Sequence, residues 1–135
     1  MKAKLFLTTL VLIMSGIMFL SFTYVQNQQK PWPTPEKYQK MKNTVKSDAA
    51  SIAEGKALWN KHCKSCHGAK GLGDGTKAAS LETFPGNFSK PDFKALADGV
   101  IYYRSFVGRN EMPNYEKKII EDSERWALVN FMKSL

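Results

Sequence analysis

Two cysteines are all that this 135-residue chain contains. That is too few for a disulfide framework and too few for a four-thiolate zinc or iron–sulfur site. Histidine is as scarce, also with two. Acidic residues fall short as well: twelve Asp and Glu against twenty Lys and Arg leave +8, so a macromolecular partner is expected to be acidic. Sustained strand alternation and internal repeats are both missing. What the chain does have is apolar material, 43% of its residues, enough for a packed core and incompatible with a wholly disordered chain. Its length suits one domain.

Charge is also missing locally. Lys2 and Lys4 are followed by no charged residue until Lys30. Residues 5–25 are mostly Leu, Ile, Met, Phe and Val, and as a helix they would span ~31 Å, about the hydrocarbon thickness of a bilayer. A secretory signal has a shorter apolar stretch followed by a small-x-small site. Here the best such site, Ser21-Phe22-Thr23, is poor, and no cysteine follows to carry a lipid. Residues 1–25 are therefore expected to be an N-terminal transmembrane helix, with a cleaved signal as the alternative. A buried core helix would need a polar face, which this stretch lacks. Lys2 and Lys4 favour a cytoplasmic N-terminus, but Lys30, Lys37, Lys40 and Lys42 weaken that bias.

Residues 26–47 change character. Pro31, Pro33 and Pro35 alternate with Trp32 and Thr34, then lysines predominate. The pattern predicts a semi-rigid tether in extended polyproline geometry. The alternative is an arm packed on the domain through Trp32, Tyr38 and Met41.

The domain itself is expected over residues 48–135. Ser51 and Glu54 have capping-box spacing, opening a helix that runs to His62 with Ile52, Gly55 and Trp59 on one face. Asp122 or Ser123 can cap a last helix, whose Trp126, Leu128, Val129, Phe131 and Met132 form a broad apolar stripe. A short helix is expected from Pro91-Asp92, and another from Asp98 through Phe106. The fold class is all-α, with long glycine-bearing connections that must pack against something.

Cys63-Lys64-Ser65-Cys66-His67 supplies a candidate for that something. Two thiols at this spacing can add across the two vinyl groups of a haem, and the adjacent His then lies under the iron; Cys-x-x-Cys-His is the attachment signature of haem c. A thioredoxin-like pair would want a βαβ context, and a zinc site would want more ligands than His62 offers. A chance pair of buried thiols would leave the glycine-rich loops unexplained. With His67 on one axial face of the iron, a second ligand is expected from further along. Met1, Met14 and Met18 lie in the expected span, Met41 in the tether and Met132 on the helical stripe, which leaves Met112 in a loop before Pro113. A thioether there would favour ferrous iron and raise the potential.

These residues resemble the class I c-type cytochromes, over essentially all of 48–135. The resemblance rests on Gly55 and Trp59, eight and four residues before Cys63, on Leu128 and Phe131, and on the Cys-x-x-Cys-His-Gly run. Gly73-Asp74-Gly75 and the Gly108-to-Met112-Pro113 stretch match bacterial monohaem members. One departure is Thr76, where many relatives have a proline whose carbonyl accepts from the haem His. The resemblance implies one covalent haem c with iron, a domain outside the bacterial cytoplasmic membrane on the periplasmic side, and a one-electron carrier in a respiratory chain. A six-coordinate iron leaves no place for a small-molecule substrate, and nucleic acid is a poor partner for an exported haem protein. Lys61, Lys64, Lys70 and Lys77, extended by Lys117 and Lys118, either steer acidic redox partners or form an ordinary solvated surface. Two rival functions remain at this point: a haem-bearing subunit of a larger membrane oxidoreductase, and a gas-sensing or peroxidase-like site with Met112 off the iron.

Overall fold

A computed structural model describes residues 32–135, of which Pro33–Leu135 make one compact unit. The elements are α1 (Glu36–Gln39), α2 (Ala49–His62), α3 (Lys64–His67), a 3-10 turn (Ala78–Ser80), α4 (Pro91–Lys94), α5 (Asp98–Val107) and α6 (Asp122–Ser134). Among the described residues there is no strand, only an isolated bridge between Arg109 and Met112. The all-α expectation holds there. The expected transmembrane helix over 1–25 lies outside the described residues, and no helix within them is long and apolar enough to cross a membrane.

The architecture is organised by the crossing of α2 and α6. Gly55 makes the crossing close: a Cβ on it would lie 2.6 Å from the Ala127 carbonyl carbon and 2.8 Å from Phe131 Cβ. Around that contact Trp59, Trp126, Leu128 and Val129 are at most 1% exposed. Each such side chain contributes about 1.5–3 kcal/mol on burial. α5 closes the third side of the core with Ile101, Tyr102 and Phe106.

Both main caps differ from the expected ones. Asp48, not Ser51, is the N-cap of α2; its carboxylate accepts from Ser51 N at 3.0 Å, and the Ser51 hydroxyl accepts from Asp48 N at 3.2 Å. The box is real but three residues earlier, because Ser51 can serve at its last position, N3, as well as at its first. At α6 the N-cap is Glu121, without a side-chain cap bond. Asp122 instead accepts from the Tyr102 hydroxyl of α5 and, at 3.0 Å, from Trp126 Nε1 one turn along its own helix, so its carboxylate is not used as a cap.

The stretch 33–47, expected as a tether, lies on the domain. Tyr38 packs over Tyr103 with ring centroids 4.7 Å apart, and Met41 sits against the backbone of Gly99. Asn130, buried in α6, accepts from Asn43 Nδ2 at 2.7 Å and donates to the Val45 and Lys46 carbonyls and the Ser51 hydroxyl. A single buried amide thus meets four groups, three of them on the arm, with its two N–H hydrogens shared among three acceptors. The packing of Tyr38 and Met41 is that of the packed-arm alternative; the Asn130 contact left no signal in the sequence, because its partners on the arm are more than eighty residues away.

Candidate functional site

α2 ends where the motif begins. Cys63 N still donates to Trp59 O at 2.8 Å, then Cys66 N and His67 N both turn back to Cys63 O, at 3.1 and 3.0 Å. The resulting single turn, α3, carries Cys63, Cys66 and His67 together. Both thiols are free, with Cys63 buried and Cys66 half-buried. Burial, and secondarily the neighbouring Cys66, push the Cys63 thiol up to about 12, so it stays protonated at neutral pH.

His67 is wedged between aromatic rings. Its ring centroid lies 5.0 Å from Phe88 and 5.6 Å from Trp59. Trp59 Nε1 donates to Gly68 O at 3.0 Å, tying the core tryptophan to the end of the turn. Burial holds the His67 pKa below its usual value, and the Pro85 carbonyl pulls weakly the other way. Its Nδ1 is buried and completes no hydrogen bond. The nearby Pro85 carbonyl is the acceptor that would orient the ring once Nδ1–H points to it, leaving neutral Nε2 as the metal-ligating nitrogen. The place held by Thr76 therefore need not supply that carbonyl.

The glycine-bearing loop is strapped to the same turn. Gly73 N donates to His67 O at 2.9 Å, Gly75 N to Cys66 O at 3.2 Å and Lys77 N to Ser65 O at 2.8 Å. A Cβ at Gly75 would lie 2.6 Å from the Cys66 carbonyl carbon, so only glycine permits this approach. Leu72 and Phe84, 37% and 55% exposed, leave apolar surface on the loops beside the turn. Phe84 also lies against Gly73.

Met112 sits half-buried in a tight turn: Arg109 N donates to Met112 O and Met112 N to Arg109 O, both at 3.0 Å. Asn110 takes the left-handed conformation the turn needs, φ 53°, which Asn tolerates better than most residues. Glu111 reaches the other loop, its two carboxylate oxygens accepting from Glu82 N at 3.1 Å and Thr83 N at 3.0 Å. Tyr115 then ties the Met112 segment back to the motif: its N–H donates to Phe106 O at 2.7 Å and its hydroxyl to His62 O at 2.9 Å. The structure brings Cys63, Cys66 and His67 onto one turn and pins the Met112 loop to the residue preceding them.

Four contributors escaped the sequence reading: Pro85, Phe88, Glu111 and Tyr115. Of these only Pro85, followed by Gly86 and Asn87, carries a turn composition in the sequence, and that composition does not say what the turn faces. Lys61, Lys64, Lys70, Lys77, Lys117 and Lys118 are all exposed. None of them is ion-paired among the described residues.

These residues fit a covalent haem. Two free thiols stand at attachment spacing, a neutral imidazole has its far nitrogen buried near a carbonyl, and apolar loop surface is available to a flat apolar ring. A family model described as Cytochrome c matches residues 52–135, more than half the chain. No curated protein matches the sequence.

Proposed function

The chain belongs to the cytochrome c family, whose members bind covalently attached haem c with iron, and on that premise we propose that it is a one-electron carrier with His67 and Met112 as axial ligands. The observation that carries the reading is the single turn α3, which presents both thiols and a neutral His67 together. When bound, haem supplies an iron that takes up or releases one electron.

The protein's own groups do the rest. Cys63 and Cys66 hold the ring through two thioethers. Pro85 O would fix the His67 tautomer once Nδ1–H points to it, leaving Nε2 for the metal. Met112 Sδ, a soft donor, favours the ferrous state and raises the potential. Buried Trp59 and half-buried Phe88 beside His67 lower the local dielectric, and the exposed Leu72 and Phe84 would be covered by the bound ring, which disfavours the more highly charged ferric state. With His67 and Met112 both held on the iron, no position would be left there for a small-molecule substrate.

The exposed lysines around α3 and the Met112 loop attract an acidic redox partner and speed the encounter, an effect that salt weakens. The apolar stretch over 5–25 anchors the protein in the bacterial cytoplasmic membrane with the haem domain on the periplasmic side, in a respiratory chain. Mass spectrometry of the purified protein tests the anchor: an intact N-terminus supports it, whereas a chain beginning near Tyr24 to Gln26 replaces it with a cleaved signal.

Attachment and ligation are tested separately. A Cys63→Ala, Cys66→Ala double variant loses the c-type pyridine haemochrome; an unchanged c-type band refutes the thioethers. Met112→Ala loses the far-red sulfur-to-iron band, lowers the potential and admits carbon monoxide. An unchanged potential and band would place the ligand elsewhere.

A further inference from the structure

After Met112 the chain runs to the start of α6 without regular secondary structure, so its carbonyls need partners from elsewhere. Arg125, in the first turns of α6, supplies them. Its Nε donates to Ile119 O at 2.7 Å and its Nη2 to Glu116 O at 3.0 Å. Its Nη1 reaches the Tyr102 hydroxyl at 3.5 Å, and the guanidinium lies 4.5 Å over the Phe106 ring. One side chain therefore joins α5, α6 and the segment that follows Met112.

The geometry asks for arginine specifically. Among the described residues no carboxylate pairs with Arg125; both Asp122 oxygens are taken, by Tyr102 and Trp126. The charge is spent on two backbone carbonyls, which only a planar, multi-donor fork reaches together while stacking on an aromatic face. A lysine keeps the charge but its three donors radiate from a single nitrogen and cannot span two separated carbonyls as a planar fork does. Tyr115 is the immediate neighbour of Glu116 and makes the bonds to Phe106 O and His62 O, so the clamp acts next to the residue that ties the Met112 loop to the motif.

We propose that Arg125 is a positioning residue that keeps the Met112 loop closed, and so sets how often the thioether leaves the iron. The proposal rests on the reading of Met112 as the axial ligand. Arg125 touches neither the thiols nor His67 and acts only through the loop backbone.

The test uses the full-length haem-loaded protein and its Arg125→Lys, Arg125→Met, Asn43→Ala and Met112→Ala variants. Three quantities are followed: the rate of cyanide binding to ferric protein, thermal loss of the far-red sulfur-to-iron band, and global unfolding by far-ultraviolet circular dichroism. Loss of a charge-assisted bond to a carbonyl makes the open loop more populated, so cyanide binding in Arg125→Met should quicken by about ten- to a hundredfold. Arg125→Lys should also quicken, by less. In both, the far-red band should melt at a lower temperature than the helices.

Asn43→Ala is the destabilised control: it weakens the arm's lock on Asn130, lowers global unfolding, and leaves band and helices melting together. If Arg125→Lys binds cyanide at the wild-type rate and its band melts with the helices, the clamp is overturned; this holds even where Arg125→Met fails to fold. If Met112→Ala keeps the far-red band, the ligand reading itself falls, which is a different result from a failed clamp.

Discussion

Replacing Gly55 by alanine sets local propensity against tertiary packing. In an isolated helix the change should stabilise by about 0.5–1 kcal/mol, because glycine loses more backbone freedom on folding. In this fold the new Cβ would sit 2.6 Å from the Ala127 carbonyl carbon, nearer still to its oxygen, and 2.8 Å from Phe131 Cβ. Two of those three atoms are backbone and the third is a Cβ, so no rotamer change relieves the clash. α2 and α6 must move apart, which loosens Trp59, Leu128 and Phe131 together. Overpacking typically costs about 1–3 kcal/mol, and this rigid contact belongs at the upper end. The net expectation is about 2 kcal/mol of destabilisation, or roughly 8–16 °C in Tm for a domain of this size. Thermal unfolding of the haem-loaded protein measures it, with the exposed Ala53→Gly on the same helix as a propensity control costing about 1 kcal/mol. A Tm for Gly55→Ala equal to or above wild type would refute the close-crossing argument.

Three further expectations follow from the same contacts. Asn130→Ala leaves the Asn43 amide and the Val45 and Lys46 carbonyls without their partner, and should cost about 3 kcal/mol by chemical denaturation; a loss under ~1 kcal/mol would mean water replaces the amide freely. His62 has a buried, unpartnered Nε2, and burial, then Lys61 and Lys118, hold its pKa below the usual 6.5 against a small opposing pull from Glu124. The unfolded chain therefore binds the proton first as pH falls, and stability should decline below pH 6.5, a slope that His62→Gln should flatten. With His67 on the iron, His62 is the one histidine left to titrate, so an unchanged slope would assign the effect to carboxylates. Glu111→Ala should release the Glu82 and Thr83 amides to faster hydrogen exchange, leaving the α2 and α6 amides protected; unchanged exchange at Glu82 and Thr83 would show that the carboxylate does not hold that loop.

What the sequence determined by itself was whatever depends on neighbours along the chain. Cys63, Cys66 and His67 lie within one helical turn, so their spacing already dictates that they share a site. Trp126, Leu128, Val129 and Phe131 announce a buried helix by period alone. Gly55 is legible for a related reason: a small residue on an apolar helical face marks a close approach. The tertiary structure decided everything whose partner is remote. Asp122 turns its carboxylate to Tyr102, twenty residues away, and makes no cap for α6. Asn130 holds residues 43–46 on the domain, where composition pointed first to a semi-rigid tether and second to a packed arm. Pro85 is set beside the His67 ring, Tyr115 beneath His62, and Arg125 across two carbonyls of the Met112 segment. Backbone carbonyls carry no residue identity, and five of these contacts end on one, which is why no motif could have named them.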